Sequence, residues 1–221
     1  MEIPNYDIIQ NSNKSFRQLY PYMLKDTFRM LLTGNSGSGK TTLFLHLIME
    51  PLVYYDQIHL YAKNLDQDKY QYLQQVMDGI SKQVGYPVLI CSQDEILPVE
   101  QIKDTDLQRL VVFDDFVTDK KQDQIISYFI QGRHKNCSVL YLTQSFYGCP
   151  KSVRLNCSHF CLYDFPSTRE RNCISQELAI DKQKYIEATK KPYSFCYVEK
   201  QWKQWREIFT VLSNLILYGI I

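Results

Sequence analysis

The sequence has no apolar run of the roughly 20 residues that a membrane-spanning helix requires. Its conspicuously apolar segment, residues 208–221, stops short of that length. It reads as a core helix or a subunit contact, with shallow membrane proximity as the other reading. The opening, Met1-Glu2-Ile3-Pro4, is polar and carries a proline, unlike a secretory leader. No stretch rich in Gly, Pro or Ser divides the chain, and there is no internal repeat or low-complexity tract. This excludes a repeat array and leaves one domain over residues 1–221 as the expectation. Excess charge is also lacking: 25 Lys and Arg stand against 24 Asp and Glu, a net charge of +1. Total charge therefore gives no sign of a nucleic-acid partner. The seven cysteines are an odd number and lie among apolar residues. They read as reduced, mostly buried thiols of an intracellular protein. Cys157, His159 and Cys161 alternate, as if sharing one strand face, but zinc sites normally use CxxC-type turns.

What is present is concentrated in eight residues, Gly34-Asn35-Ser36-Gly37-Ser38-Gly39-Lys40-Thr41. They spell GxxxxGK[ST], the phosphate-binding P-loop. The apolar run 28–33 enters it as a buried strand, and 41–49 leaves it as a helix. The chemistry needs that order. Glycines let backbone N–H groups turn inward around phosphates, and the helix N-terminus adds its positive dipole end. Lys40 is placed to reach the β- and γ-phosphates of ATP, and the Thr41 hydroxyl to bind Mg²⁺. Thr42 completes the phosphate-binding set.

Beyond the P-loop, strands are expected at 57–61, 88–91, 109–115 (ending in two carboxylates), 138–143, 159–163 and, last, 193–198. Helices are expected at 67–84, 123–131 and 167–190, the last with a break near Ile180. This alternation predicts an α/β fold with a mainly parallel sheet covered by helices on both faces. Residues 1–27 read as a lead-in packed over the core. Residues 182–221 read as a C-terminal extension, first basic and then apolar.

A second site determines whether a bound triphosphate is hydrolysed. Leu110 to Phe113 run into Asp114-Asp115, a Walker B pattern. Asp114 should hold Mg²⁺, and Asp115 should orient and deprotonate the attacking water. Two adjacent carboxylates repel unless a cation lies between them and the phosphates. Gln144, after the next buried strand, falls where an amide can sense the γ-phosphate. Arg133 and Arg154 flank that strand. Either could serve a neighbouring subunit as an arginine finger, and Arg133, just before the strand, is the first choice. There is no NKxD guanine motif and no LSGGQ signature.

These segments, with Gly132-Arg133-His134-Lys135-Asn136, Leu142-Thr143-Gln144-Ser145 and Cys149-Pro150-Lys151-Ser152-Val153-Arg154-Leu155-Asn156, follow one another in a familiar order. Over about residues 28–165 the chain resembles the genome-packaging ATPases of large DNA viruses, virophages and Polinton-like elements. These form the poxvirus A32-like branch of the FtsK–HerA superfamily. The resemblance implies a RecA-like P-loop core with an extra strand between the P-loop and Walker B strands. It also implies a pentameric or hexameric ring that pumps double-stranded DNA into a preformed capsid, in the virion or at a viral assembly site. By carry-over, residues 34–41 bind phosphate, Asp114 binds Mg²⁺, Gln144 is the sensor and Arg133 the finger supplied in trans. Many superfamily members carry Glu where this chain has Asp115, one methylene shorter. Independently, residues 182–206 hold seven Lys or Arg against Glu187 and Glu199, suited to phosphates read without sequence. Tyr193, Trp202 and Trp205, interleaved with them, read as core or interface aromatics. Two other readings stand beside translocation. One is a nucleotide-switched capsid or membrane assembly protein with little turnover. The other is a different P-loop phosphotransferase.

Overall fold

Successive residues of the buried strands point to opposite faces of one sheet, and nearly all are apolar, so helices must cover both sides. In the computed structural model, described over residues 24, 27–50, 52–93, 95–103, 105–116, 121–201 and 204–207, that is the arrangement. The strands are β1 (Arg29–Thr33), β2 (Gln57–Ala62), β3 (Leu89–Ser92), β4 (Arg109–Asp114), β5 (Cys137–Thr143), β6 (His159–Tyr163), β7 (Phe195–Gln201) and β8 (Gln204–Glu207). The helices are α1 (Lys40–Met49), α2 (Asp68–Val84), α3 (Gln122–Gln131), α4 (Lys151–Asn156), α5 (Thr168–Leu178) and α6 (Lys182–Ala188).

The sheet order is β3-β2-β4-β5-β1-β6-β7-β8. The first six strands are parallel; β7 and β8 run antiparallel to their neighbours. β5 lies between the P-loop strand β1 and the Walker B strand β4, which is the inserted strand that the resemblance implies. The expected last strand is not the last, because β8 pairs with it. Its four residues, Gln-Trp-Arg-Glu, sit inside a charged run too short to show an alternation. α4 was not foreseen either.

Two apolar clusters coat the two faces. Leu31, Val111, Phe113, Val139, Tyr141 and Phe160 pack with residues of α3 to α6. Leu32, Leu110, Val112, Leu140 and Leu142 pack with residues of α1 and α2. The expected break near Ile180 has a local cause. Ala179, at φ 53°, closes α5, and the Asp181 carboxylate accepts from the Lys184 N–H at 2.8 Å to open α6.

Cys157 packs with the first cluster and Cys161 with the second, so the expected common face is not formed. Cys157 precedes β6 as the residue capping α4, where the strand alternation has not begun. All seven cysteines are free, five of them buried. Among the described residues, no three His, Cys, Asp or Glu side chains are grouped to hold a metal ion. Nor is any described helix long and apolar enough to cross a membrane. The apolar segment 208–221 and nearly all of the lead-in lie outside the described residues.

One buried group gives the fold a pH dependence. His59 on β2 pairs through Nε2 with Gln57 Oε1 at 2.9 Å, while its Nδ1 has no hydrogen-bond partner. Burial, and then the Arg109 charge, push its pKa down to about 4. The folded state therefore prefers the neutral ring. The stability this contributes is complete above about pH 6.5, the unfolded value, and is lost as pH falls toward 4, by up to about 3 kcal/mol. Urea unfolding across that window should show the decline, and His59→Gln, which cannot be protonated, should flatten it.

Candidate nucleotide site

The parallel register brings the C-terminal ends of β1, β4, β5 and β6 to one edge. Thr33 lies opposite Thr143 and Leu162, and Asp114 opposite Leu142 and Ala62. The P-loop, both Walker B carboxylates and Gln144 all leave the sheet there. In parallel α/β sheets this carboxyl edge is where ligands bind.

The P-loop leaves β1 tied to the neighbouring strand, with the Gly34 N–H donating to the Thr143 carbonyl at 3.2 Å. Gly34 has no room for a side chain: a Cβ would stand 2.5 Å from Tyr163 Cβ and 2.9 Å from Ser38 Oγ. Gly39, at φ 101°, turns the chain into α1 in a conformation that L side chains rarely adopt. As the N-terminal cap it offers no side-chain acceptor. The first N–H groups of α1 are then left for an external anion. Ser38 Oγ is buried without a hydrogen-bond partner. A phosphate oxygen fits both demands.

Lys40 is 9% exposed, and its ammonium donates to the carbonyls of Gly34 at 2.6 Å and Asn35 at 2.8 Å. Burial lowers its pKa, and Asp114 and Asp115 act against that. Asn35, Ser36 and Gly37 form the exposed rim of the loop, and Thr42 is exposed on the first turn of α1. Lys69, on α2, donates to Thr42 Oγ1 at 2.6 Å, bringing a second ammonium to the site.

The two carboxylates differ. Asp114 is half-buried, and its pKa is raised chiefly by burial and further by Asp115, against the pull of Tyr70 and Lys40. The Tyr70 hydroxyl donates to Asp114 Oδ2 at 2.5 Å and also interacts with the Thr41 hydroxyl. It therefore stands between the two residues expected to hold Mg²⁺. A carboxylate under this desolvation suits a cation. One carboxylate plus one hydroxyl is the sparse oxygen set that Mg²⁺ completes with phosphate and water. Asp115 is exposed, with φ 62°, a left-handed conformation that Asp tolerates better than most residues. Its Oδ2 accepts from Gln144 Nε2 at 3.1 Å. The expected base and the expected sensor are thus in direct contact.

Tyr70 was not foreseen, because as a buried position on an amphipathic helix it reads as core. Glu170 was also missed. It accepts from Ser145 Oγ at 2.5 Å and from the Tyr147 N–H at 2.9 Å, anchoring the loop that carries Gln144. The capping-box spacing Ser167…Glu170 was the available signal.

The arginines separate clearly. Arg133 is exposed in the short 3-10 turn before β5, near Arg29 at the start of β1, whose pKa is lowered chiefly by burial and further by the Arg133 charge. That is the sheet edge opposite the P-loop, so Arg133 is not part of its own chain's site. Arg154 is buried and fully engaged with Glu177 and with the carbonyls of Phe146, Tyr147 and Cys149. It is a structural residue and cannot extend into a neighbour. The basic charges of the C-terminal half do not form one patch among the described residues. Lys190 and Lys191 lie in the loop entering β7 at the P-loop edge, whereas Lys200 contacts the Leu155 carbonyl at the other edge.

Residues 15–191 match the family described as Poxvirus A32 protein. Over 171 residues the chain is 32% identical to the DNA packaging protein OPG160 of Monkeypox virus, covering 74% of this chain and 57% of that protein. It is 32% identical over 171 residues to the OPG160 protein of Vaccinia virus (strain Copenhagen), covering 63% of that protein. The chain thus spans 57% and 63% of the lengths of these relatives. Among solved structures, the genome packaging NTPase B204 from Sulfolobus turreted icosahedral virus 2, in complex with ATP-gammaS, superposes with a TM-score of 0.59 at 15% identity. The match covers 83% of this chain and 98% of that one. The DNA-packaging ATPase B204 from Sulfolobus Turreted Icosahedral Virus gives 0.58 at 14% identity over the same shares. The fold is therefore that of the packaging NTPases, with its mainly parallel P-loop sheet.

Proposed function

The chain belongs to the Poxvirus A32 protein family, and from that premise we propose that it hydrolyses ATP to drive double-stranded DNA of a viral genome into a preformed capsid. The observation that carries the reading is the meeting of P-loop and Walker B groups at one edge, with Tyr70 joining Asp114 to Thr41 and Gln144 joining Asp115. That pattern supports hydrolysis rather than binding alone.

The residues divide the work as follows. Backbone N–H groups of the 34–41 loop that do not already donate within the protein, as those of Gly34 and Ser38 do, receive the phosphates, and Lys40 faces the β- and γ-phosphates with its ammonium. Thr42 borders the same turn, with Lys69 beside it. Thr41 and Asp114 would hold Mg²⁺, which would supply positive charge to offset that of the phosphates. Asp115 takes the proton of the attacking water. Gln144, hydrogen-bonded to Asp115, registers whether the γ-phosphate is there.

Arg133, exposed at the opposite edge, can complete a transition state only in another subunit. This favours a head-to-tail ring, pentameric or hexameric. Basic residues on successive subunits would track duplex phosphates, at the viral assembly site where capsid proteins are the other partner. We read residues 1–221 as a single such ATPase unit.

ATP hydrolysis by the purified protein, with and without duplex DNA, tests the reading. Turnover should rise severalfold with DNA, and the rise should shrink steeply with salt. Turnover indifferent to duplex DNA would remove the translocase and leave a phosphotransferase or switch.

A further inference from the structure

The loop between α6 and β7 holds a residue that its own turn disfavours. The Ser194 N–H donates to the Lys191 carbonyl at 3.1 Å, closing a four-residue turn with Pro192 second and Tyr193 third. Proline excludes a positive φ at the second position, and Tyr193 has φ 62° at the third. That defines a type II turn, whose third position is the place for glycine. A bulky aromatic there is strained, and strain of this kind marks sites held for function. Burial in the core does not compensate for it. Tyr193 is 68% exposed, the most exposed large apolar side chain among the described residues, so of the core and interface roles that the sequence suggested the core one is excluded.

Its position is informative. A Cβ on Gly39 would lie 3.4 Å from Tyr193 Cδ1 and 3.8 Å from the Tyr163 hydroxyl oxygen. Tyr193 therefore overhangs the glycine that opens α1. Asp114, Asp115 and Gln144, which must face the γ-phosphate, leave β4 and β5 on one side of β1. Tyr163 and Tyr193 lie on the other side, at β6 and the entry to β7. A triphosphate with its γ end toward the carboxylates presents its nucleoside end to this second side.

We propose that Tyr193 is the stacking platform for the nucleobase at this P-loop, making the site selective for purine nucleoside triphosphates over bare polyphosphate. The inference rests on the nucleotide reading above. Base–aromatic stacking tolerates different bases, and its strength follows the size of the ring system. ATP and GTP should therefore bind alike, and UTP more weakly.

The test is calorimetric titration of wild type, Tyr193→Gly, Tyr193→Phe and Lys40→Ala with ATPγS and with inorganic tripolyphosphate, in the presence of Mg²⁺. Glycine suits the turn, so Tyr193→Gly should melt no lower than wild type. It should bind ATPγS about 5- to 150-fold more weakly, the range that loss of one stacked base gives. Tripolyphosphate affinity should be unchanged, and Tyr193→Phe should bind ATPγS like wild type. The proposal falls if Tyr193→Gly binds ATPγS as wild type does while Lys40→Ala does not; the P-loop reading would then survive. It falls equally if Tyr193→Gly loses both ligands in parallel, since the residue would then shape the loop. A wild-type protein that binds neither ligand would overturn both readings.

Discussion

Lys40→Ala is expected to abolish turnover, lowering ATP hydrolysis by at least about 10²–10³-fold, the usual cost of removing one preorganised charge-stabilising donor. The ammonium is buried at the carboxyl edge of the sheet, within the field of Asp114 and Asp115. It donates to the Gly34 and Asn35 carbonyls, which leaves its third N–H direction for a phosphate. Alanine removes the positive charge from a site with two carboxylates, so a triphosphate would meet net repulsion. The freed Asn35 carbonyl lies on the exposed rim and can recruit water, whereas the Gly34 carbonyl is buried. The fold should therefore survive with a loss of about 1–3 kcal/mol. Lys40→Arg should not rescue, because a planar guanidinium cannot occupy the place of a compact ammonium between two carbonyls. Single-turnover hydrolysis beside a thermal melt separates the two effects. A variant that folds and keeps a tenth of wild-type turnover would remove Lys40 from the chemistry.

Arg154→Ala should be the most destabilising single substitution in the loop region, by about 3–5 kcal/mol, because it leaves a partly buried carboxylate without its partner. Arg154 Nε lies 2.9 and 3.0 Å from the two oxygens of Glu177, and Nη2 lies 2.9 Å from Oε2. Nη1 donates to the Phe146 and Tyr147 carbonyls at 3.2 Å and to the Cys149 carbonyl, and the guanidinium lies 5.1 Å from the Phe146 ring centroid. One side chain thus fastens α4 to α5 and to the loop that carries Gln144. Replacing both partners, Arg154→Met with Glu177→Leu, should recover much of the loss, since no lone charge remains. Urea unfolding of the three proteins gives the comparison. A loss below about 1 kcal/mol for Arg154→Ala would mean that water replaces the guanidinium at little cost.

The contiguous parts of this molecule were legible in the sequence. The P-loop and Asp114-Asp115 each occupy a few neighbouring residues, and β1, β4 and β5 are unbroken apolar runs because both their faces are buried. What escaped was assembled from distant positions. Tyr70 meets Asp114 across 44 residues, and nothing in its helical spacing distinguishes a phenol that packs from one that also donates. The sequence favours Arg133 over Arg154 only for its place just before the strand; it is the Glu177 carboxylate and the sheet's direction that separate the two physically. The strand between the P-loop and Walker B strands came from family resemblance, since alternating strands and helices do not fix sheet order. The sequence leaves Tyr193 between core and interface because apolar character does not tell them apart; its exposure and its backbone conformation exclude the core.

The unlike holds on the two acidic residues have a further consequence for the proposed motor. Asp114 is held from the α2 side by a phenol, and Asp115 from the β5 side by an amide. In the proposed cycle one chemical event at the carboxyl edge would therefore have two outputs, one to α2 through Tyr70 and one to the loop after β5 through Gln144. Such an asymmetric linkage can order events in time, letting one contact yield before the other. A machine that must advance along a polymer without slipping back needs that ordering, and a symmetric pair of contacts could not supply it.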